Sequence, residues 1–236
     1  MLIYAISDLH LALSINKPMD IFGDRWTNYM EKIKTAWEQI VSADDYVILP
    51  GDISWATYLE HACEDFEFID SLPGRKVISK GNHDYWWTTL SKLDRFITKN
   101  NFSSISFMHN NSCKLGKAIL CGTRGWNCPG DNDFGAEDRK IYNRELQRLE
   151  LSLKSAKRDE NEVLVAALHY PPFNSKKEPS EFMEIMKRYG VKICIYGHLH
   201  GENLKNSLEG LIDGIDCRLV SADYLNFKPL RLEVGG

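Results

Sequence analysis

The sequence predicts a mixed α/β fold in which the strands split into two packed sheets covered by helices. Three observations carry this expectation. Short apolar runs alternate with amphipathic stretches at helical spacing over the first third of the chain. The middle holds short strand-like runs separated by the turn dipeptides Asn110-Asn111 and Gly116-Lys117. Apolar runs at both ends of the chain stop abruptly on glycine, aspartate or histidine.

Leu2 to Ile6 is an apolar strand that stops at Ser7-Asp8. From Thr27 to Val41, the residues Met30, Ile33, Trp37 and Ile40 recur at helical spacing. Tyr46 to Leu49 is a second strand, broken by Pro50-Gly51, and a helix follows from about Thr57 to Ser71. Pro73-Gly74 ends that helix, and Lys76 to Ile78 forms a third strand running into Gly81. This β-α-β-α-β order implies parallel strands with right-handed crossovers.

Ile105–Phe107, Ser112–Leu115 and Ala118–Cys121 are expected to form an antiparallel hairpin or meander. A polar loop from Thr123 to Ala136 leads to a helix from Asp138 to Lys157, striped by Tyr142, Leu146, Leu149 and Leu153. Val163 to Leu168 is a strand ending on His169. Ser180 is the expected N-cap of a helix reaching Tyr189, and Ile193 to Tyr196 is a strand ending on Gly197-His198. Arg218–Val220 and Leu230–Leu232 are expected as closing antiparallel strands. No linker, repeat or low-complexity segment interrupts residues 1–236, so a single domain is expected.

An apolar fraction of 43% is ample for a packed core, and a net charge of -4 gives no global pull toward nucleic acid or anionic membrane. Met1 to Ile6 enters a strand-like run with no basic segment or small-residue cleavage site, so neither a secretory leader nor a membrane span is expected. Cys63, Cys113, Cys121, Cys128, Cys194 and Cys217 form no C-x-x-C pair. They read as reduced thiols in a cytoplasmic protein, with Cys121, Cys194 and Cys217 as small core residues.

Five polar signatures hold the chemistry: Asp8-Leu9-His10, Gly51-Asp52, Gly81-Asn82-His83-Asp84, His169, and Gly197-His198-Leu199-His200. They contain 5 of the 7 histidines. Each follows a strand, and open α/β sheets bind ligands at the carboxyl ends of strands. Gly51, Gly81 and Gly197 each precede a candidate ligand, where glycine permits a sharp bend or a close approach. Such a mixture suits a hydrolytic site with two divalent metals sharing a carboxylate. The mixed His, Asp and Asn donors favour manganese, iron or zinc over calcium.

The ordered set D-x-H, G-D, G-N-H-D, H and G-H-x-H resembles the calcineurin-like metallophosphoesterases, and it spans Asp8 to His200. The resemblance implies a four-layer α/β/β/α sandwich and phosphoester hydrolysis by a metal-activated water. It implies Asp8, His10 and His200 on one metal, Asn82, His169 and His198 on the other, and Asp52 between them. His83 would donate a proton to the leaving group, with Asp84 orienting it. The protein Ser/Thr phosphatase branch carries Asp-Arg-Gly after its second aspartate. Here the stretch reads Asp52-Ile53-Ser54, closer to bacterial phosphodiesterases and small phosphohydrolases.

Arg124 follows a strand and could clamp a phosphate with its planar guanidinium, or serve a structural ion pair. Trp55, Trp86 and Trp87 are either core residues or a wall for an aromatic leaving group. Tyr170 and Asn174 are candidates for the same rim, while His61 and His109 read as surface residues. The expected partner is a small phosphoester, with no membrane or nucleic acid. A non-catalytic scaffold would have lost ligands, and every ligand position here is filled. A nuclease of the same family is disfavoured by the acidic balance.

Overall fold

The computed structural model describes all residues except Asn16, Pro18, Glu160, Gly235 and Gly236. In it β1 (Ile3–Ala5) pairs in parallel with β2 (Tyr46–Pro50), β2 with β3 (Arg75–Ser79), and β3 with β4 (Ile105–Phe107). The last strand, β11 (Leu230–Leu232), closes this five-stranded sheet antiparallel to β1. The second sheet has six strands. Its parallel centre is β6 (Ala118–Thr123), β7 (Val163–Leu168), β8 (Ile193–Tyr196) and β10 (Ile215–Leu219). Antiparallel β5 (Cys113–Leu115) and β9 (Gly210–Ile212) form its edges.

Period-2 alternation sorts the strand residues into three cores. Ile3, Ala5, Ile48 and Val77 of the first sheet meet Leu120, Val165, Ala167 and Ile195 of the second between the sheets. Tyr4, Val47, Leu49 and Ile78 point the other way. They pack beneath α1 (Tyr29–Ile40), α2 (Cys63–Ser71) and α3 (Leu90–Lys99), with Trp37, Phe66 and Leu93 reaching down. Cys121, Ala166, Cys194 and Cys217 lie beneath α4 (Ala136–Ser155) and α5 (Glu181–Tyr189), which supply Tyr142, Leu149, Phe182 and Met186. The layers therefore run helix, sheet, sheet, helix.

Several elements depart from the sequence expectation. The segment Ile105–Leu115 is not a hairpin: β4 extends the first sheet, and β5 belongs to the second. The chain crosses between sheets at Met108–Ser112, where Asn110 turns at φ 59°. The overlooked helix α3 explains the parallel pairing, because it is the crossover between β3 and β4. Of the tail strands, β11 closes the first sheet antiparallel as expected, whereas β10 runs parallel to β8 and antiparallel only to β9. A tight hairpin joins β9 to β10 through Asp213-Gly214, both at positive φ. The second helix is shorter than expected, since Leu59–Ala62 forms a 3₁₀ turn before α2.

One lysine lies deep in the fold. Lys76 of β3 is fully buried, and its Nζ donates to the carbonyls of Leu72 (2.5 Å), Gly74 (2.9 Å) and Asp70 (3.4 Å). It satisfies carbonyls exposed where α2 ends.

Candidate metal centre

The carboxyl ends of β1, β2, β3, β7 and β8 converge, and hydrogen bonds lock the loops beyond them. Asp8 N donates to Gly51 O at 3.0 Å, His10 N to Asp52 O at 3.0 Å and Gly197 N to His169 O at 3.1 Å. Asp8 ties the two sheets together, because its carboxylate accepts His198 N at 3.0 Å. The approach is close enough to require glycine. A Cβ on Gly197 would lie 2.4 Å from Asp8 Oδ2, and one on Gly81 would lie 2.2 Å from Asp52 N. Only Gly51 among the three also takes a positive φ, 92°. Asp8, His10, Asp52 and His198 adopt positive φ of 57°, 47°, 53° and 70°. Left-handed backbone at non-glycine residues costs roughly 1–3 kcal/mol each and concentrates at functional sites.

Each carboxylate anchors one oxygen and presents the other. Asp8 Oδ2 accepts the hydroxyls of Ser7 (2.5 Å) and Ser221 (3.1 Å). Its Oδ1 faces His200 Nε2 at 3.7 Å and His10 Nε2 at 4.0 Å. Asp52 Oδ1 accepts His83 N at 2.8 Å, and Asp52 Oδ2 lies 3.8 Å from His10 Nε2 and 3.5 Å from His169 Nε2. Ligand atoms of Asp8, His10, Asp52 and His200 all fall within 4.8 Å of one another. On the far side of Asp52, Asn82 Oδ1 sits 2.7 Å from His169 Nε2 and 2.9 Å from His198 Nδ1.

These donors fit a metal. Among the described residues, Asp52 Oδ2, His10 Nδ1 and His10 Nε2 are buried without a hydrogen-bond partner. His169 Nδ1 lies 3.0 Å from Pro50 O, so it carries the proton and turns the Nε2 lone pair toward Asn82 and Asp52. Lone pairs facing lone pairs in a dry site need a cation between them. Burial holds the His10 and His198 imidazoles down at about 3, which keeps them neutral. Burial opposes charge on His169 too, but the carboxylates of Asp52, Asp8 and Asp84 together outweigh it and lift the imidazole to about 9. A metal ion bound there would therefore compete with a proton for Nε2. Asp52 resists ionisation through burial, yet the His169 charge beside it holds its carboxyl well below the usual range.

The structure thus brings Asp8, His10, Asp52, Asn82, His169, His198 and His200 to one place. His83 lies beside them, half-buried, its ring 5.8 Å from that of His10 and its Nδ1 without a partner. Asp84 does not orient it. The buried Asp84 carboxylate accepts Gly81 N (2.7 Å), Asp52 N (2.9 Å), Ile53 N (2.9 Å) and Trp86 Nε1 (3.0 Å), so it builds the loop instead. Burial, then the Asp52 charge, pushes it up to about 6.

Trp55 stacks on His10 (4.7 Å, 22°) and lines a recess of about 220 Å³ with Met19, Trp26, His83 and His200. Tyr170 packs 4.1 Å from His198 at the edge of a second cleft, which Asn174 also lines. Trp86 is a core residue, 2% exposed and edge-on to Phe66, so it cannot form a wall for a leaving group. Arg124 is not at the ligand cluster. Its Nη2 lies 3.6 Å from the buried Glu145, and its guanidinium covers Trp126 at 4.4 Å. His109 is half-buried against Trp87 rather than on the surface, whereas His61 is exposed. Ser221 and Asp223 were overlooked, although they follow β10 as the other polar groups follow their strands. Ser221 anchors Asp8, and Asp223 Oδ2 accepts Gly201 N at 2.9 Å beside His200.

No helix in the described residues is long and apolar enough to cross a membrane. No curated protein sequence matches the chain significantly. Among solved structures, the protein of unknown function AQ665 from Aquifex aeolicus superposes with a TM-score of 0.51 at 18% identity, over 98% of this chain and 95% of that one. The phosphopantetheinyl hydrolase PptH from Mycobacterium tuberculosis gives a TM-score of 0.57 at 14% identity, again over 98% and 95%. Both likenesses speak to the fold. The model of the calcineurin-like phosphoesterases matches residues 1–202, and with a metal-fitting cluster at the strand ends inside that span, the chain belongs to this family and is a phosphoester hydrolase.

Proposed function

We propose that the chain hydrolyses small phosphoesters at a dinuclear centre, with Asp8, His10 and His200 holding one ion, Asn82, His169 and His198 the other, and Asp52 shared. One observation carries the reading: the unpartnered Asp52 Oδ2 lies between His10 Nε2 at 3.8 Å and His169 Nε2 at 3.5 Å. Ions bound there would supply Lewis acidity toward a phosphoryl oxygen and activate the attacking water near neutral pH. Manganese, iron or zinc suits the mixed nitrogen and oxygen donors.

The chain's own groups do the rest. Ser7, Ser221 and His198 N fix Asp8, and Pro50 O fixes the His169 tautomer, so the ligands need little rearrangement. His83 has a free Nδ1 at the edge of the cluster and is placed to give a proton to the departing oxygen. Burial lowers its imidazole below the ordinary range, which makes it a stronger acid once protonated. Trp55 and Tyr170 flank the two ends of the cluster and would hold the organic part of the substrate. A reducing, cytoplasmic setting belongs to the reading: all six cysteines are free, including Cys194 and Cys217, paired in register across β8 and β10.

The test is removal of metal by a chelator, then reconstitution with each ion, assayed on aryl phosphate mono- and diesters. Loss and ion-dependent recovery of turnover is the expected result. Full turnover by rigorously metal-free protein would overturn the proposal.

A further inference from the structure

A third recess is lined by none of the ligand residues. It is lined by Ser79 and Lys80 at the end of β3, by the segment 108–110 after β4 with His109, by the end of β6 up to Arg124, and by Arg144, Glu145 and Arg148 of α4. Its volume is about 210 Å³, and none of its lining residues is shared with the recess beside His10 and His83. That is below the ~300–1,000 Å³ of pockets for drug-sized ligands, so it suits one small group.

Its charge is one-sided. Lys80, Arg124, Arg144 and Arg148 face a single carboxylate, in a chain whose net charge is -4. That carboxylate is already committed. Glu145 Oε1 pairs with Arg148 Nη1 at 2.6 Å and lies 3.6 Å from Arg124 Nη2, while Oε2 accepts the Thr123 hydroxyl at 2.5 Å. Among the described residues, no carboxylate lies within ion-pairing distance of Lys80 or Arg144. Two buried polar atoms in the walls also lack partners. They are Ser79 Oγ, on a residue only 4% exposed, and Arg124 Nε. Unsatisfied buried donors beside surplus positive charge call for an anionic acceptor.

We infer that this recess is a binding site for a phosphoryl-type oxyanion, held by Arg124, Arg144, Arg148, Lys80 and the Ser79 hydroxyl. Guanidinium forks match such an oxyanion with paired N–H donors, and the ammonium adds a point charge. Arg144 and Arg148 sit one turn apart on α4, so one helix face presents both forks. The recess opens at strand ends, where ligands of α/β sheets bind. It adjoins the metal centre through the backbone, because Lys80 precedes Gly81 and Arg124 O accepts His169 N at 3.0 Å. The oxyanion is either a second anionic group of the substrate or a separate small anion. The inference does not depend on the hydrolase reading.

The experiment is calorimetric titration of the metal-loaded protein with inorganic phosphate, in wild type, Arg144→Gln and Lys80→Met. Arg144 is exposed and unpaired, so its substitution should leave the fold intact, which a thermal melt verifies. Phosphate affinity at one class of site should fall at least tenfold in both variants, while any phosphate bound at the metal centre is retained. KM values for aryl esters with and without a second phosphoryl group then separate the sources. A rise confined to the doubly phosphorylated ester assigns the oxyanion to the substrate, and unchanged KM values with lost phosphate binding assign it to a free anion. Isotherms identical to wild type in both folded variants overturn the site, whatever the turnover of the enzyme.

Discussion

Asp84 and His83 are neighbours in sequence, yet the Asp84 carboxylate bonds to Gly81 N, Asp52 N, Ile53 N and Trp86 Nε1, while His83 Nδ1 has no partner. Asp84 therefore acts on the centre through Asp52, whose backbone it holds, rather than through the imidazole. Asp84→Asn keeps the shape but turns part of a shared acceptor into a donor facing backbone N–H groups. It should cost about 2–3 kcal/mol of stability, because buried donors lose their acceptor. Metal occupancy should fall with it. A variant with wild-type melting and metal content, but weakened catalysis on poor leaving groups alone, would restore the orienting role.

His83→Ala tests the proton donor. The variant is expected to keep its metal, since His83 is not among the converging ligand atoms. Turnover of alkyl phosphoesters should fall roughly 10²–10⁴-fold, the usual range for general acid catalysis. Nitrophenyl esters, whose leaving group departs without a proton, should lose far less. Equal losses across leaving groups would count against the assignment.

Gly197→Ala tests how tightly the two sheets close on the centre. The added Cβ would meet Asp8 Oδ2 at 2.4 Å and Ser7 Oγ at 2.3 Å. Overpacking of this kind costs about 1–3 kcal/mol. Here it also displaces a ligand, so metal affinity should drop together with the melting temperature. Gly197 does not adopt a positive φ, so the cost comes from the clash and not from backbone strain. Unchanged metal binding in Gly197→Ala would show that the loop yields without moving Asp8.

The strand-end signatures were legible because each couples a local motif to a β-strand, and parallel strands bring their carboxyl ends together. Orientation was not legible. Nothing in Asn82-His83-Asp84 says that the third side chain turns inward to its own loop, or that Trp86 follows it into the core. Arg124 stands out for its charge, but its direction depends on Glu145, which is 21 residues away on the buried face of α4. The crossing from β4 to β5 was missed because Asn110-Asn111 marks a turn without saying which sheet the next strand joins. The hairpin at Asp213-Gly214 had a signal in the dipeptide itself.

Lys76 gives a pH prediction remote from the centre. Burial pulls its ammonium down to about 8, from an ordinary value of 10.5. Between these values the unfolded chain binds more protons than the folded one, so this group makes stability rise with pH across that window. Lys76→Met removes the slope and leaves the Leu72 and Gly74 carbonyls unpaired, at a cost of about 1–3 kcal/mol. Urea unfolding of both proteins at pH 7.5 and 9.5 should show the stability gap widening at the higher pH. A gap that does not change would mean that the carbonyl tripod keeps the amine charged.

If Asp52 is shared between two metal ions, elemental analysis of metal per chain will read it out. Reconstituted wild type is expected to hold two ions. Asp52→Asn, which weakens the common ligand while keeping its shape, is expected to lose occupancy at both positions, whereas Asn82→Ala should empty one and spare the other. A wild-type content of one ion, or an Asp52→Asn variant that still binds two, would show that Asp52 is not a shared ligand.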